Sequence, residues 1–242
     1  MTSATDSAPR WNEYESASDM ADTLTSRIME SIVDAIKQRG HASLAVSGGS
    51  TPRALYERLA HQEADWDRVV VVLVDERWVE PGARGSNETF VRETLIQDEA
   101  RRAKLVGLKT SGDGPEDGLA EAEALLSEVP SPFDVVILGM GDDGHTASWF
   151  PHAKGLEQAI EGTGARVAAI EARPSEITGP FTQRITLTRA ALSGAPEIHI
   201  LLSGAKKRQA WEKASGPGET EDMPVRVLIR DPDLPLQAHW AA

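Results

Sequence analysis

Apolar residues recur along this chain in two spacings, one typical of helices and one typical of buried strands. Between Asp19 and Gly40 they fall at about every fourth position, which predicts an amphipathic helix that ends at the glycine. Short runs rich in branched apolar residues predict strands at 41–46, 69–74, 104–108, 133–138, 166–171, 183–188 and 197–202. Helical stretches separate most of these runs, so the order favours an α/β fold, with a doubly wound, mainly parallel sheet, helices on both faces and right-handed crossovers.

The pattern weakens at both ends of the chain. Residues 1–17 are polar and rich in Ser, Thr and Ala, which predicts a flexible N-terminal segment. Residues 225–230 predict a last strand after a stretch rich in Gly and Pro, and the Pro-containing tail at 231–242 is too short for a domain. Because no internal repeat or compositional break divides the chain, we expect a single domain over residues 1–242.

The composition is that of an ordinary soluble protein, with 40% apolar and 26% charged residues among 242. The absence of cysteine excludes disulfides, thiolate metal ligands and a cysteine nucleophile. A formal net charge of -13 argues against a nucleic acid or an anionic membrane as partner, but not against a small anion held in a local basic pocket. With no secretory leader pattern and no run long enough to cross a bilayer, we expect a cytoplasmic protein. We expect it to be a monomer, with an oligomer left open.

Candidate chemistry is concentrated in GMGDDGHTASWFP, residues 139–151, directly after a predicted strand. Its glycines allow a sharp turn, which carries two carboxylates and an imidazole, Asp142, Asp143 and His145. Ligands of open α/β sheets bind beyond the carboxyl ends of strands, so an active site is expected at this turn. One alternative is an ordinary glycine turn with helix-capping aspartates and a solvated histidine. Another alternative is a metal site. An HExxH motif or a His-rich spacing would favour it, and this cluster has neither.

A second candidate is SGGSTP, residues 47–52, which follows the first predicted strand. Its glycines allow close backbone approach, Ser50 or Thr51 would cap the next helix, and Pro52 suits the first helical turn. The N–H groups at such a helix start attract phosphate. The segment matches neither the Walker A pattern nor the dinucleotide fingerprint, and a plain capped turn is the alternative.

Charged residues also follow the strand at 69–74. Arg77 comes after Asp75 and Glu76, where it either serves a site or only neutralises these two carboxylates. Ser86 or Asn87 is predicted to cap the helix that follows, a role that we favour over ligand binding.

Five segments together, in chain order, resemble the 6-phosphogluconolactonases, a sugar-phosphate lactonase family related to glucosamine-6-phosphate deaminases and ribose-5-phosphate isomerases. These segments are SGGSTP, VDERWV, GMGDDGHTASWFP, RITLT and SGAKKRQAW, and the resemblance spans about residues 41–211. It implies a modified Rossmann-type fold and a cofactor-free hydrolase. It also implies a small phosphorylated sugar lactone as substrate and a place in the oxidative pentose phosphate pathway.

The resemblance further implies roles for individual residues. His145 matches the proposed general base of the family, Asp143 the acidic residue two positions before it, and Arg77 an arginine associated with the active site. The implied phosphate-binding set is Gly48, Gly49, Ser50, Thr51, Arg184 and Lys207. The family spacing G-x-x-K selects Lys207 over Lys206, although two adjacent lysines leave this assignment open.

The chemistry of the residues is consistent with that implication. Hydrolysis of a lactone needs a positioned water, a base that titrates near neutral pH and a donor for the developing oxyanion, and histidine is the side chain that suits the base. The related deaminases carry a tyrosine at the position of Arg77 and an acidic residue after the histidine motif, where this chain has SWFP. These departures favour the lactonase. A deaminase or isomerase and a non-catalytic sugar-phosphate-binding module are the alternatives, because fold alone does not decide among them.

Overall fold

Seven parallel strands form the central sheet of the computed structural model, which describes residues 9–161 and 164–242. From one edge to the other they are Arg10–Tyr14 (β1), Leu236–Ala241 (β10), Ile198–Ser203 (β9), Val135–Gly139 (β6), Ala42–Val46 (β2), Val69–Leu73 (β3) and Lys104–Val106 (β5). All neighbouring pairs in this sheet run parallel. The α/β, doubly wound class expected from the sequence is therefore confirmed, and β2 is buried at every position, as a strand covered on both faces must be.

A smaller antiparallel sheet stands beside the central one. Its strands, in order, are Asp75–Arg77 (β4), Gln183–Leu187 (β8) and Val167–Glu171 (β7). The sequence predicted β7 and β8 but not β4, whose three residues are too few to show a period. Pairing of β4 with β8 places Arg77 directly opposite Arg184. Two residues that the resemblance assigns to the site thus become cross-strand neighbours.

Eight α-helices occur in the described residues. They are Ala17–Arg39 (α1), Arg53–Ala60 (α2), Asn87–Thr94 (α3), Pro115–Ser127 (α4), Leu156–Ile160 (α5), Arg189–Leu192 (α6), Gly204–Ser215 (α7) and Arg226–Ile229 (α8). The predicted stripe of α1 is confirmed, since Leu24, Ile28 and Ile32 are buried and the helix ends at Gly40, whose φ of 81° favours glycine. Among these helices of the described chain, none is both long and apolar enough to cross a membrane.

The prediction of a flexible segment over residues 1–17 is wrong for residues 10–17. Residues 10–14 form β1, which pairs with β10 at the edge of the central sheet, and α1 begins at residue 17. Trp11 packs against Trp211 and Trp240, with ring centroids 5.8 and 6.5 Å apart. These contacts come from distant parts of the chain, so local polarity gave no sign of them. Residues 1–8 lie outside the part of the chain that the structure describes.

The prediction of a last strand at 225–230 is also wrong. This segment holds the short helix α8, and the last strand is β10, in the tail for which no element was predicted. Arg226 is only 3% exposed because its guanidinium donates hydrogen bonds to the carbonyls of Lys213 and Ala214 at the end of α7. Because this buried position of α8 is occupied by an arginine, the segment lacks the apolar spacing that would have predicted a helix.

Candidate active site

The carboxyl ends of the central strands surround a cavity of about 290 Å³. Eight of the nine residues assigned to the site by resemblance line this cavity, namely Gly48, Gly49, Ser50, Thr51, Arg77, His145, Arg184 and Lys207. Asp143, the ninth, contacts His145. Residues from separate sequence segments therefore lie together at the place where an open α/β sheet is expected to bind its ligand.

His145 and Asp143 form a hydrogen-bonded pair in the turn after β6. The distance between His145 Nδ1 and Asp143 Oδ1 is 2.6 Å, and the same oxygen accepts the backbone N–H of His145 at 3.1 Å. Burial acts to raise the pKa of Asp143, but the hydrogen bond and the charge of His145 outweigh it, so the pKa lies below its usual value. A charged Asp143 accepts a hydrogen bond from the N–H at Nδ1 of the imidazole. The other nitrogen, Nε2, is thereby left as a proton acceptor.

The glycines of this turn are required by its geometry. A side chain at Gly141 would place its Cβ 2.1 Å from His145 Nδ1 and 2.5 Å from Asp143 Oδ1. At Gly144, a φ of 80° and the neighbouring Met223 both disfavour any larger residue. The backbone N–H of Gly141 donates to the carbonyl of His145 at 2.8 Å and closes the turn. The alternative of an ordinary glycine turn is thus correct in that glycines form the turn. It is wrong for the histidine, because His145 contacts Asp143.

The loop at residues 47–52 lines the cavity and begins α2. Neither Ser50 nor Thr51 caps this helix by a side-chain hydrogen bond, so the plain capped turn is wrong. A Cβ at Gly48 would lie 2.0 Å from the side-chain oxygen of Asn87, which explains why only glycine fits there. The glycine-rich loop therefore presents backbone and hydroxyl groups to the cavity, an arrangement that suits an anion.

Lys207 approaches the cavity from the first turns of α7. Its ammonium lies 2.9 Å from Asp142, while Lys206 is exposed. Asp142 thus contacts a cation, whereas Asp143 contacts the imidazole of His145. Thr51 and Ser203, at the start of α7, bring their hydroxyls within 3.5 Å of each other.

Arg184 is a nearly buried cation at the opposite wall, with an exposed fraction of 4%. Its Nε donates to the carbonyl of Phe181 at 2.6 Å and its Nη2 to that of Thr178 at 3.1 Å, while Nη1 lies 3.8 Å from Asp75 Oδ2. Burial lowers the pKa of Arg184 to about 10, and the nearby carboxylate of Asp75 acts against this effect. The guanidinium stays charged at neutral pH, with Nη1 left for a ligand.

Within the part of the chain that the structure describes, the Arg77 side chain forms no ion pair with Asp75 or Glu76, so the interpretation that it neutralises them is wrong. Its Nη1 donates to the carbonyl of Gly85, and its Nε is buried without a hydrogen-bond partner among the described residues. Glu76 instead accepts the backbone N–H groups of Asn87 and Glu88, each at 2.7 Å, at the start of α3. Burial raises the pKa of Glu76, and these hydrogen bonds oppose the increase. The Arg77 guanidinium is consequently available at the cavity wall.

Sequence reasoning missed a buried polar cluster beside the cavity. Asp75 accepts hydrogen bonds from Asn87 Nδ2 at 3.0 Å and from the Ser148 hydroxyl at 2.6 Å. The predicted capping of α3 is confirmed for Ser86, whose hydroxyl accepts the N–H of Thr89, but Asn87 faces Asp75. The position of Asp75 at a strand end was a signal. The identity of its partners was not, because Asn87 and Ser148 come from two separate segments of the chain.

The glucosamine-6-phosphate isomerases/6-phosphogluconolactonase family model matches residues 15–238. A 6-phosphogluconolactonase of Rhizobium meliloti (strain 1021) is 38% identical over 229 residues, covering 94% of this chain and 97% of the relative. One of Pseudomonas aeruginosa is 38% identical over 227 residues, 94% of this chain and 92% of the relative. The crystal structure of a 6-phosphogluconolactonase from Shewanella baltica OS155 superposes with a TM-score of 0.91 at 39% identity, covering 97% of this chain and 98% of the other.

Proposed function

This chain belongs to the glucosamine-6-phosphate isomerase/6-phosphogluconolactonase family, and from that premise we propose that it hydrolyses 6-phospho-D-glucono-1,5-lactone to 6-phosphogluconate, a step of the oxidative pentose phosphate pathway. The observation that carries the proposal is the pairing of His145 with Asp143 at a cavity that also holds three cationic side chains. A base beside a group of cations suits an anionic ester that reacts with water.

In this mechanism His145 acts as the general base. The oxygen of a water molecule attacks the lactone carbonyl carbon while Nε2 takes one proton of that water. Collapse of the tetrahedral intermediate breaks the bond between the carbonyl carbon and the ring oxygen, which leaves with the proton returned by the imidazolium. One water is consumed, and the product is an open-chain carboxylic acid that ionises at neutral pH. Asp143 holds the imidazole in the tautomer that this step requires.

Arg77 is proposed to stabilise the oxyanion of the intermediate. Arg77 lines the cavity, and among residues 9–161 and 164–242 its guanidinium donates a hydrogen bond through Nη1. A donor fixed in place before the reaction is worth about 10²–10³-fold in kcat when it meets developing charge. The carbonyl of Gly85 holds the guanidinium in position through Nη1.

The phosphate of the substrate is assigned to the loop of Gly48, Gly49, Ser50 and Thr51, with Lys207 and Arg184 as cations. Charge-assisted hydrogen bonds to phosphate are about twice as strong as neutral ones. Because the phosphate takes no part in the bond changes, its binding energy serves to fix the reacting carbon beside the base.

A deaminase of the same family is the less favoured function. That reaction moves a proton between carbons and needs a further acid or base beside the imidazole. The residues after His145 are Thr146, Ala147, Ser148, Trp149 and Phe150, none of them acidic. The aromatic ring of Phe150 lies against His145 at a centroid distance of 4.3 Å, which leaves an apolar group at that position.

The proposal is tested with freshly prepared 6-phosphogluconolactone, with the rate corrected for spontaneous hydrolysis. We expect hydrolysis well above the spontaneous rate and no ammonia from glucosamine 6-phosphate. His145→Ala should lower kcat by about 10²–10⁴-fold, whereas His61→Ala, at an exposed histidine, should not. Stoichiometric ammonia release at a comparable rate would reassign the chain as a deaminase. Silence in both assays would indicate a binding module.

A further inference from the structure

The imidazole of His145 is enclosed by two groups besides Asp143. One is the backbone of Gly141, so close that a Cβ there would lie 2.2 Å from His145 Cε1. The other is the ring of Phe150, stacked on the imidazole with an interplanar angle of 29° and centroids 4.3 Å apart. Phe150 is 4% exposed, so the surrounding chain holds its ring in place.

The hydrogen bond from Nδ1 to Asp143 does not by itself fix the imidazole. A ring that is held at one nitrogen still tilts about the line from that nitrogen to its acceptor, and the lone pair of Nε2 then points in a different direction. Contact with a face of the ring prevents this tilt. Because a misplacement of about 1 Å costs on the order of 10²-fold in rate, such contact has a direct effect on a general base.

Phe150 also lies close to the buried cation Arg184. The guanidinium carbon of Arg184 stands 5.2 Å from the centroid of the Phe150 ring. One aromatic ring therefore contacts both the proposed base and a proposed phosphate ligand. A cation near an aromatic ring is attracted by the electron-rich face, which adds to the forces that keep the Phe150 ring where it is.

We propose that Phe150 is a positioning residue for His145, whose ring keeps Nε2 directed at the cavity. The inference rests on the proposed function, since it concerns the base of that reaction. Phe150 acts through His145 and has no part in the bond changes. Its removal should therefore lower kcat and leave KM nearly unchanged, because the phosphate-binding loop is formed by other segments and Arg184 stays held by the carbonyls of Phe181 and Thr178.

The test compares Phe150→Leu, which stays apolar but loses the aromatic face, with Phe150→Tyr, which keeps it. We expect kcat to fall about 10-fold or more in Phe150→Leu, with KM within about threefold of the wild type, and Phe150→Tyr to retain most of kcat. Phe133→Leu is the matched control, because Phe133 is also buried, stands 5.5 Å from the guanidinium of Arg166 and precedes β6 at its other end. This control should lose stability without a change in kcat.

A second comparison combines Phe150→Leu with His145→Ala, to test whether Phe150 acts through His145. If Phe150 acts only through His145, adding Phe150→Leu to His145→Ala changes kcat by less than about twofold, because coupled residues are not additive. A further fall as large as in the wild type would overturn the inference. So would an unchanged kcat in a folded Phe150→Leu, or an effect on KM alone.

A measurement without substrate separates this inference from the proposed function. A ring stacked at 4.3 Å shifts the carbon-bound proton resonances of the His145 imidazole upfield in NMR spectra. We expect this shift in the wild type and Phe150→Tyr and its loss in Phe150→Leu, even if the lactone proves not to be the substrate. Unchanged His145 resonances in Phe150→Leu would show that the ring does not position the imidazole.

Discussion

Two adjacent carboxylates in the turn at residues 139–145 have different partners. Asp143 accepts a hydrogen bond from His145, and Asp142 lies 2.9 Å from Lys207. Side chains that follow one another in a tight turn point in different directions, so one carboxylate reaches the imidazole and the other an ammonium on α7. The turn thereby contacts both the proposed base and a proposed phosphate ligand. Residue type alone did not distinguish these two aspartates.

Ser47 provides a test of function at a single hydroxyl. Its Oγ is buried beside the cavity without a hydrogen-bond partner in the described chain, an arrangement that costs folding free energy. We expect Ser47→Ala to unfold at the same or a higher urea concentration than the wild type, because the orphaned hydroxyl is removed. We also expect KM for the phosphorylated lactone to rise by about 10-fold, because the substrate loses a hydrogen bond to this hydroxyl.

Ser43→Ala, in the strand β2 that precedes Ser47, is the control for this prediction. The buried hydroxyl of Ser43 lies 3.4 Å from Asp134 Oδ2, so its loss should reduce stability and leave KM unchanged. An unchanged KM in Ser47→Ala would mean that the orphaned hydroxyl has no role in substrate binding.

At the level of elements, the sequence predicted the strands that are buried on both faces and failed where burial depends on distant partners. Runs such as that of β3 are apolar at every position, which identifies them locally. In β10, buried positions are occupied by Ala238 and His239, and a histidine interrupts any apolar pattern. Edge strand β1 is polar because it has a neighbour on one side only. Local sequence carries no sign of such pairing.

The candidate site was predictable to a similar degree. The glycine turns and the charges at strand ends are local features, and resemblance ordered them into one site. The contacts of Asp75 with Asn87 and Ser148, and those of Phe150 with Arg184, join separate segments and required the structure. The interpretation of Arg77 as a neutralising charge failed for the same reason, because Glu76 is satisfied by the backbone N–H of Arg77 and by two N–H groups of α3 and not by the Arg77 guanidinium.

Helix α7 allows a prediction with a control on the adjacent residue. Lys207 lines the cavity and Lys206 is exposed, so replacing each by Met removes the same charge from the same helix. We expect Lys207→Met to raise KM for the phosphorylated lactone by about 10-fold or more and to leave KM for the unphosphorylated lactone nearly unchanged. Lys206→Met should behave as the wild type. An equal loss for both substrates in Lys207→Met would indicate a structural role.

For the whole molecule, the distribution of charge matters more than its sum. The chain carries a net charge of -13, yet the cavity gathers Arg77, Arg184 and Lys207. Charges on the exposed surface are screened over about 8 Å at physiological ionic strength, so a bound anion responds mainly to its immediate contacts. An acidic protein can therefore bind a phosphorylated sugar, and specificity for phosphate depends on a small number of cations.

A chain of buried hydrogen bonds connects the edge of the sheet to its interior. Tyr14 Oη lies 2.8 Å from His239 Nδ1, His239 Nε2 lies 3.0 Å from His199 Nδ1, and His199 Nε2 lies 2.9 Å from Glu197. When both imidazole rings are neutral, each of these three contacts holds one proton, so every donor has an acceptor. Burial acts to raise the pKa of Glu197, but hydrogen bonds from His199, Ser31 and Arg27 outweigh it and lower the pKa to about 2.

This chain of hydrogen bonds predicts how the stability of the whole protein depends on pH. Burial lowers the pKa of His239 to about 3, so the folded protein keeps this ring neutral. The unfolded chain binds a proton there below a pKa of about 6.5, and stability is therefore lost as pH falls from 7. Between pH 7 and pH 5 this group alone lowers the free energy of unfolding by about 2 kcal/mol. In urea titrations over this interval, the free energy of unfolding of His239→Gln should fall by about 2 kcal/mol less than that of the wild type. The free energy of unfolding of His61→Gln should fall as it does in the wild type. Parallel losses in the wild type and His239→Gln would show that His239 is not the group that senses pH.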